Sequence, residues 1–371
     1  MAIIWMNGAW VDRSAAKVSV FDHGLLYGDG VFEGIRAYNG KVFRNKEHVD
    51  RLYDSAQAIA MTIPMPREEM ARLIEEGVAK LGISEAYIRP IVTRGDGDLG
   101  IDPKKCTSPT VIIIVDGIKM WPSDRYENGL ALVTAGTPIP QREALSPRIK
   151  SLNYLPHVFA KHEANVAGAD DAIMLDSAGH VCEGSGMNVW MVKDGVLKTP
   201  PPHAGILLGV TRQVIFEVAA AGGYDAREAM LNRYDLYTSD EIFLCGTGAE
   251  VAPVRLYDGR TIGPGRPGPV TQEIMRRYRA LVRGEERQGR GPPGDIRADC
   301  GIAARRGWLH YSRVILGGRP VPWRVLEVGD ETWNISMAVE RRANSEQWGL
   351  VLSFRSSGPA PKRSSAPAPM Q

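Results

Sequence analysis

The sequence has few of the features that mark secreted, metal-binding or membrane-spanning proteins. Its 371 residues include four cysteines, which lie far apart and form no C-x-x-C pair. We therefore expect neither a disulfide framework nor a metal site, and we expect a cytoplasmic location. The longest apolar run, VIIIV at 111–115, is far shorter than the roughly 18 residues that span a bilayer, so we expect no membrane association.

The charge balance is close to neutral. Lysine and arginine together number 45 against 43 aspartate and glutamate residues, which leaves a formal net charge of +2. Such a chain has no long-range field that favours nucleic acid or an anionic membrane. Small molecules or another protein chain are the expected partners, and the length is sufficient for two domains.

Hydrophobic periodicity predicts a mixed α+β fold. A small first domain, 1–119, opens with antiparallel strands: IIWMNGAWV forms a hairpin around an Asn-Gly pair, and KVSVF continues the strand pattern. Pro-containing polar residues at 120–128 predict an interdomain linker, and 129–284 form a larger second domain. Amphipathic or apolar periodicity predicts helices at about 46–60, 66–81, 154–167, 211–221 and 271–283.

The last part of the chain, 285–371, has a different composition. Its ends, ERQGRGPPGDIRADCG and SSGPAPKRSSAPAPMQ, are rich in Gly, Pro, Arg and Ser. This composition predicts a poorly ordered extension of unknown role. Two stretches inside it, WLHYSRVILGG and WGLVLSFRSS, have enough apolar residues for a few strands.

A dinucleotide-binding pattern at 95–100 is misleading. GDGDLG fits G-x-G-x-x-G and follows a strand-like segment. That motif requires a helix after the third glycine, so that the helix N-terminus faces the pyrophosphate. Here IDPKKCTSP follows, with Pro103 and Pro109, and we therefore predict a loop without this function.

Three other segments combine glycines with a polar residue at a predicted junction of strand, helix or turn. In LLGVTRQ, the amides of Val210 and Thr211 suit a phosphate at a helix N-terminus, although a simple helix cap explains the segment as well. In CGTGAEV, Thr247 lies in a tight turn that an ordinary loop would also form. In GHVCEGSGMN, Glu183 would be semi-buried and would need either a ligand or a distant arginine.

Together with Lys150, these segments resemble one known family. The motifs YGDGVFEGIRAY, HVDRL, AYIRP, KSLNY, CEGSGMN, LGVTR and CGTGAEVAPV occur in this order between about residues 4 and 284. They are similar to those of the class IV aminotransferases, and most similar to the branched-chain amino acid aminotransferases. The resemblance implies fold type IV, pyridoxal 5′-phosphate as cofactor in an interdomain cleft, and a homodimer or larger homo-oligomer.

The resemblance also implies roles for individual residues around the cofactor. Lys150 corresponds to the lysine that holds the cofactor aldehyde as an internal Schiff base (aldimine) and then moves the proton during transamination. Glu183 corresponds to the acid that pairs with the pyridine nitrogen, and Tyr154 to the phenol that binds the ring oxygen. The phosphate would be held by Arg51, Gly209, Val210, Thr211 and Thr247.

The choice of Lys150 depends on the resemblance. By composition alone, Lys150 is no different from Lys41 or Lys161, and an exposed lysine would be the better interpretation. We expect Lys150 at a strand end and a helix that begins near Asn153 as N-cap.

On the substrate side, the resemblance implies a pocket that accepts Leu, Ile or Val in one half-reaction and glutamate in the other. Turn amides near Thr247 and Ala249 would bind the α-carboxylate. Arg89, with Tyr27 of a neighbouring subunit, would bind the distal carboxylate of glutamate. The implied pocket residues are Tyr27, Phe32, Tyr87, Arg89, Thr247, Gly248 and Ala249. D-amino acid aminotransferase, aminodeoxychorismate lyase and a non-catalytic cofactor-binding protein are the alternatives.

Overall fold

The structure is a computed structural model. It describes residues 2–118 and 120–285 with their side chains, and the backbone of 322–328, 331–341 and 348–356. Met1–Gly291 and Pro292–Gln371 form two separate compact units. The first unit contains two large sheets with helices packed on them, so the mixed α+β class is confirmed. Among the described residues, no helix combines the length and apolar character needed to cross a bilayer.

The first sheet is antiparallel and lies entirely before the predicted linker. Its order is β2-β1-β7-β6-β4-β5, and β3 also pairs with β6. The predicted hairpin is confirmed, with Asn7 and Gly8 both at positive φ between β1 and β2. The strands are β1 Ile3–Met6, β2 Ala9–Val11, β3 Gly30–Phe32, β4 Ile35–Tyr38, β5 Lys41–Val42, β6 Ala86–Thr93 and β7 Thr110–Asp116.

The segment KVSVF does not form the expected strand. Val18, Val20 and Phe21 are instead exposed by 39%, 69% and 46%, and the short helix α1, His23–Tyr27, follows. The alternation of apolar residues did not predict this segment correctly, because its apolar side chains stay largely exposed and do not join a sheet face. It contributes to an exposed apolar surface considered below.

Two helices cover one face of this sheet, as the periodicity predicts. They are α2, Asn45–Ala58, and α3, Arg67–Leu81. Leu52 and Ile74 are fully buried against the strands, and each such side chain contributes about 1.5–3 kcal/mol. The helix α3 ends at Gly82, whose φ of 70° places it in the left-handed region.

The segment predicted as an irregular linker contains a helix. Ser123–Asn128 form α4, because Pro122 precedes the first turn and Asp124 lies within it, where a negative charge favours a helix N-terminus. The first sheet ends at Asp116 and the second begins at Leu130. The division of the first unit into two domains at this segment stays a prediction.

The second sheet has nine strands and mixes parallel with antiparallel pairs. Its order is β10-β9-β8-β15-β14-β11-β12-β13, and β16 pairs with β15. The pairs β8–β9, β8–β15 and β12–β13 are parallel. The strands are β8 Leu130–Thr134, β9 Asp171–Leu175, β10 Val181–Gly184, β11 Asn188–Lys193, β12 Val196–Thr199, β13 Ala226–Glu228, β14 Glu241–Gly246, β15 Glu250–Tyr257 and β16 Arg260–Thr261.

Four helices accompany the second sheet, and the predicted ones occur within a few residues of their expected bounds. Trp190 and Phe243 stack in the core beneath α6 and α8, with ring centroids 6.0 Å apart. The first helix has Tyr154 as N-cap, which corrects the expected cap at Asn153, while Pro156 lies in the first turn as expected. The helices are α5 Leu155–Val166, α6 Val210–Ala221, α7 Arg233–Tyr237 and α8 Pro269–Val282.

The C-terminal unit contains regular structure where we expected little. Three segments form an antiparallel sheet in the order β17-β18-β19. In β18 and β19, alternate apolar residues occupy opposed positions, for example Ile335 with Phe354 and Met337 with Leu352, and this period-two pattern favours strands. The segment WLHYSRVILGG lies outside the described residues. The strands are β17 Pro322–Val328, β18 Glu331–Arg341 and β19 Trp348–Ser356.

Candidate active site

A cavity of about 300 Å³ is lined by residues from both sheets of the first unit. Phe32 of β3 and Arg51 of α2 line it from the first sheet's side, and Glu183 of β10 lines it from the second. With the exception of Tyr27, every residue that the sequence predicted for the site lines this cavity. Residues that lie far apart in the sequence therefore meet in one place.

Lys150 lies in a segment that is attached to the first sheet. Phe32 N–H donates to the Lys150 carbonyl at 3.0 Å, and a single bridge joins Val31 to Ser151. We expected Lys150 at the end of a strand. The structure corrects this, because a single bridge does not make a strand. Lys150 Nζ donates to the Tyr154 hydroxyl at 2.9 Å. Burial lowers the pKa of the Lys150 amine to about 8.

Glu183 is 5% exposed, and a β-bulge in β10 precedes it. Its Oε2 accepts hydrogen bonds from Asn188 Nδ2 at 3.1 Å and from the Leu207 N–H at 3.0 Å. Burial raises the pKa of the Glu183 carboxyl to about 8, and the bond from Leu207 only partly offsets this effect. A buried carboxylate of this kind is stabilised when an N–H or a cation approaches it.

Arg51 is held by a buried acid that sequence reasoning did not single out. Its Nε and Nη2 donate to the two oxygens of Glu33 at 2.6 and 2.9 Å, and Nη1 donates to the Leu208 carbonyl at 2.7 Å. His48 Nδ1 also lies 2.9 Å from Glu33. Burial alone would raise the pKa of Glu33, but the charge and hydrogen bonds of Arg51 and His48 outweigh it and hold that pKa far below its usual range.

Backbone groups complete the same side of the cavity. The helix α6 begins at Val210 with Gly209 as N-cap, and Gly209 has no side chain that could cap it. The first amides of the helix are therefore free to bind an anion, with the helix dipole oriented favourably. Thr247, Gly248 and Ala249 form the hairpin turn between β14 and β15, as the Gly-Thr-Gly pattern predicted.

Another part of the cavity lining has aromatic rings around one arginine. The Arg89 guanidinium carbon lies 4.8 Å from the Phe32 ring centroid and 5.3 Å from that of Tyr87. Arg89 Nη2 donates to the Tyr87 hydroxyl at 2.7 Å, while its buried Nε has no hydrogen-bond partner among the described residues. The Cβ of any residue other than glycine at Gly34 would collide with the Tyr87 hydroxyl. This part of the lining is suited to an apolar group and to a carboxylate.

Tyr27 does not line the cavity. It is 38% exposed at the end of α1, and its hydroxyl donates to the Leu99 carbonyl at 2.5 Å. His23 is similarly tied to the 95–103 loop through the Asp98 carbonyl at 2.8 Å. The GDGDLG segment is thus part of a loop fastened to α1, and only the short 3-10 helix Pro103–Lys105 follows it, so the dinucleotide motif is excluded as predicted.

Sequence reasoning assigned no role to several residues that contact the predicted site residues, among them Glu33, His48, Asn188 and His157. A signal existed for the first two, since FEG and HVDRL each place a polar residue inside an apolar pattern. Asn188 and His157 carried no such signal. Asn188 is identified by its bonds to Glu183 and to the Leu207 carbonyl, and His157 by its contact with the Tyr154 ring.

Comparisons with known proteins identify the family of this chain. The family model described as amino-transferase class IV matches residues 30–257. The putative branched-chain-amino-acid aminotransferase of Methanocaldococcus jannaschii is 49% identical over 278 residues, which cover 75% of this chain and 96% of that protein.

Solved structures of such enzymes share the fold. The T.th. branched-chain amino acid aminotransferase complexed with N-(5′-phosphopyridoxyl)-L-glutamate has a TM-score of 0.72 at 39% identity, over 76% of this chain and 95% of that one. The same enzyme complexed with 4-methylvaleric acid has a TM-score of 0.73 at 39% identity, with the same coverage.

Proposed function

The chain belongs to the class IV aminotransferases, and from this premise we propose that it transfers the amino group of L-leucine, L-isoleucine and L-valine to 2-oxoglutarate. The products are branched-chain 2-oxo acids and L-glutamate, and the cofactor is pyridoxal 5′-phosphate. The observation that carries the proposal is the meeting of Lys150, Glu183 and Arg51 with the N-terminus of α6 on one cavity.

The residues present fit this cofactor. Glu183 is a buried acid whose pKa of about 8 reflects the cost of burying its charge without an adjacent cation, and a protonated ring nitrogen would supply that cation. Arg51 uses part of its guanidinium on Glu33 and the Leu208 carbonyl, and its remaining N–H groups can bind phosphate. The uncapped first turn of α6, from Gly209 to Thr211, suits the same phosphate, as does Thr247.

Pyridoxal phosphate supplies an aldehyde that condenses with amines and a ring that withdraws electrons from the substrate Cα. Lys150 contributes the amine that holds the cofactor and afterwards moves the proton from the substrate Cα. Its lowered pKa of about 8 increases the neutral fraction that this role requires. Tyr154, which accepts a hydrogen bond from Lys150 Nζ, would donate its own hydroxyl proton to the ring oxygen. Glu183 would keep the ring nitrogen protonated.

The substrate end explains how one pocket serves two kinds of side chain. Phe32 and Tyr87 offer apolar ring surface to a branched aliphatic chain, while the buried Nε of Arg89, unpartnered within the described residues, offers an N–H to a distal carboxylate. The turn at Thr247–Ala249 offers amides to the α-carboxylate. The T.th. relative, whose complexes hold a glutamate adduct and a branched aliphatic acid, supports this dual use.

We also propose that the protein is at least a homodimer and that it acts in the cytoplasm. The most exposed apolar residues near α1 and the 95–103 loop are Val20, Leu25, Leu99 and Ile101, exposed by 63–83%. Covering them with a second copy would bring Tyr27 and the loop to the partner's site. The free thiols of Cys106, Cys182 and Cys245 suit a reducing compartment.

The proposed function is tested with purified protein and four candidate substrates. L-leucine and L-valine with 2-oxoglutarate should yield L-glutamate, whereas D-alanine should not, and aminodeoxychorismate should not be cleaved. Lys150→Ala should abolish turnover and the absorbance band of the bound cofactor. Activity confined to D-alanine or aminodeoxychorismate would favour the corresponding relative of the same fold.

A further inference from the structure

His157 packs directly on the tyrosine of the cofactor site. Its ring stacks on Tyr154 with centroids 4.6 Å apart and an interplanar angle of 25°. Its Nδ1 lies 3.0 Å from the Ser185 carbonyl oxygen. Because Ser185 follows directly after β10, His157 connects the start of α5 to the segment that carries Glu183.

Tyr154 needs such support because of where it lies. It is the N-cap of α5, with φ of −93° and ψ of 7°, and its own side chain makes no capping bond. The preceding segment is attached to β3 by one bridge only. The Phe32 ring contacts Tyr154 edge-on, with centroids 4.9 Å apart, and the His157 ring covers another face. The orientation of the phenol is therefore set by packing rather than by the helix.

The hydrogen bond to Ser185 determines the state of the His157 ring. A carbonyl oxygen only accepts, so Nδ1 carries the proton and the neutral ring has its acceptor at Nε2. Burial lowers the pKa of His157, and the nearby charge of Lys150 acts in the same direction, although the bond to Ser185 opposes both. A neutral ring stacks on Tyr154 without placing a second positive charge beside Lys150.

We propose that His157 is a positioning residue, which holds the Tyr154 phenol in the orientation that binds the cofactor ring oxygen and ties it to the Glu183 segment through Ser185. This inference rests on the proposed function, because it assigns Tyr154 to the cofactor. In this role His157, which also lines the cavity, acts through Tyr154 and not on the substrate.

A double-mutant cycle with Tyr154 tests the inference in the holoenzyme. A hydrogen bond from the Tyr154 hydroxyl to the ring oxygen would lower the pKa of the neighbouring imine nitrogen. Loss of this bond should therefore raise the pH at which the absorbance change of the bound cofactor is half complete, which we call the midpoint. In His157→Ala, we expect this midpoint, measured without substrate, to rise by about half a pH unit, and kcat to fall about fivefold, as for one neutral hydrogen bond. KM for L-leucine should stay within about twofold, because the substrate side is untouched.

The same substitution in a Tyr154→Phe background should change neither the midpoint nor kcat further, because there is no phenol left to position. His157→Phe keeps the ring stacked on Tyr154, so its midpoint should stay close to the wild-type value. His157→Gln keeps only a donor for the Ser185 carbonyl, so its midpoint should rise as in His157→Ala. His162→Ala, on the exposed side of the same helix, is the matched control.

Two results would overturn the inference. One is an unchanged midpoint in His157→Ala, and the other is an equal shift in both backgrounds. Failure of the proposed function has a different signature, since wild-type protein would then lack the cofactor band or the L-leucine activity altogether, and the inference would fall with it. Thermal melting of each variant identifies any that fail to fold. If His157→Ala does not fold, the comparison of His157→Phe with His157→Gln tests the inference in its place.

Discussion

Glu33 binds Arg51 through both carboxylate oxygens, with Nε to Oε1 at 2.6 Å and Nη2 to Oε2 at 2.9 Å. The acid is completely buried, while the Arg51 side chain is 15% exposed, toward the cavity. This arrangement fixes the plane of the guanidinium and leaves its remaining N–H groups for an anion. A phosphate would therefore meet a preformed partner and cause little loss of side-chain entropy.

Glu33→Gln should weaken cofactor binding. The amide keeps the shape but removes the charge that orients Arg51, so we expect the Kd for pyridoxal phosphate to rise about tenfold or more. Breaking one side of a buried ion pair should also lower the free energy of unfolding, by about 3–5 kcal/mol. Absorbance titration and urea unfolding measure the two effects.

The control for this variant is Glu47→Gln, because Glu47 pairs with Arg44 on the surface and is 45% exposed. In this variant, neither the free energy of cofactor binding nor the free energy of unfolding should change by more than about 0.5 kcal/mol. Equal cofactor affinity in Glu33→Gln and wild type would contradict the role assigned to the Glu33–Arg51 pair.

Cofactor capture should depend on pH through Lys150. The rate at which cofactor-free protein takes up pyridoxal phosphate should rise with pH and reach half of its maximum near pH 8, because the neutral amine is the nucleophile and its pKa is about 8. An unperturbed lysine would place this midpoint near 10.4. Stopped-flow absorbance measures the rate.

Glu183 has a pKa of about 8 in the same cavity, so the observed midpoint belongs to the coupled pair. Glu183→Gln separates the two groups and should leave a single titration from Lys150. A midpoint that stays near 10 in both proteins would refute the effect of burial on Lys150.

Glu183→Gln should stabilise the cofactor-free protein while it lowers activity. The folded-state pKa of Glu183 is raised from 4.5 to about 8, so the folded protein favours the protonated acid. The wild type therefore loses stability as pH rises from about 4.5 to 8, whereas the amide does not. Urea unfolding should show the variant more stable at pH 8, on the order of a few kcal/mol, and nearly equal at pH 4.5.

The same variant should turn over L-leucine more slowly than wild type by about two orders of magnitude or more, since the ring nitrogen loses its anionic partner. Unchanged activity, or a stability difference that does not depend on pH, would show that Glu183 does not carry a buried charge.

Gly209→Ala should disturb two parts of the site, the start of α6 that is proposed to bind the phosphate and Glu183, which is proposed to bind the ring nitrogen. The added Cβ would collide with Asn188 Oδ1. Asn188 is not free to move, because its Nδ2 bonds to Glu183 and to the Leu207 carbonyl at 3.1 and 2.9 Å. We expect weaker cofactor binding and an unfolding free energy lower by about 1–3 kcal/mol.

Gly117→Ala is the matched control, since a Cβ at Gly117 has no described heavy atom within 4 Å. It should behave as wild type in cofactor titration and urea unfolding. If Gly209→Ala and Gly117→Ala bind the cofactor equally well, the close packing of Gly209 on Asn188 is not needed for the site.

Two inactive variants should complement each other if Tyr27 completes a partner's site. Lys150→Ala and Tyr27→Ala should each lose activity as homodimers. A mixed dimer has one site with both residues intact, so random mixing by co-expression should recover about a quarter of wild-type activity. The assay is L-leucine turnover of the co-purified mixture.

Tyr234→Ala, which alters another exposed tyrosine (71%), should stay active alone and serves as the control. Absence of recovery in purified mixed dimers would show that Tyr27 acts within its own subunit or not at all.

Much of the first unit follows from local pattern. The Asn7-Gly8 hairpin, α3 with its stop at Gly82, and the buried strand β7 depend on periodicity and turn chemistry that neighbouring residues supply. Exceptions occur where distant contacts decide. Asn153 donates its side-chain amide to the Gly28 carbonyl at 3.0 Å instead of capping α5, a partner 125 positions away that no local pattern indicates.

The sequence by itself determined the residue types, the order of the motifs and therefore the family, because these are properties of the linear chain. Only the tertiary structure decided how the residues act together. It placed Glu33 behind Arg51, Asn188 behind Glu183 and His157 on Tyr154. The physical reason is that burial and hydrogen-bond partners, which shift the pKa of Lys150 and Glu183 and orient each side chain, arise only when distant segments pack into one cavity.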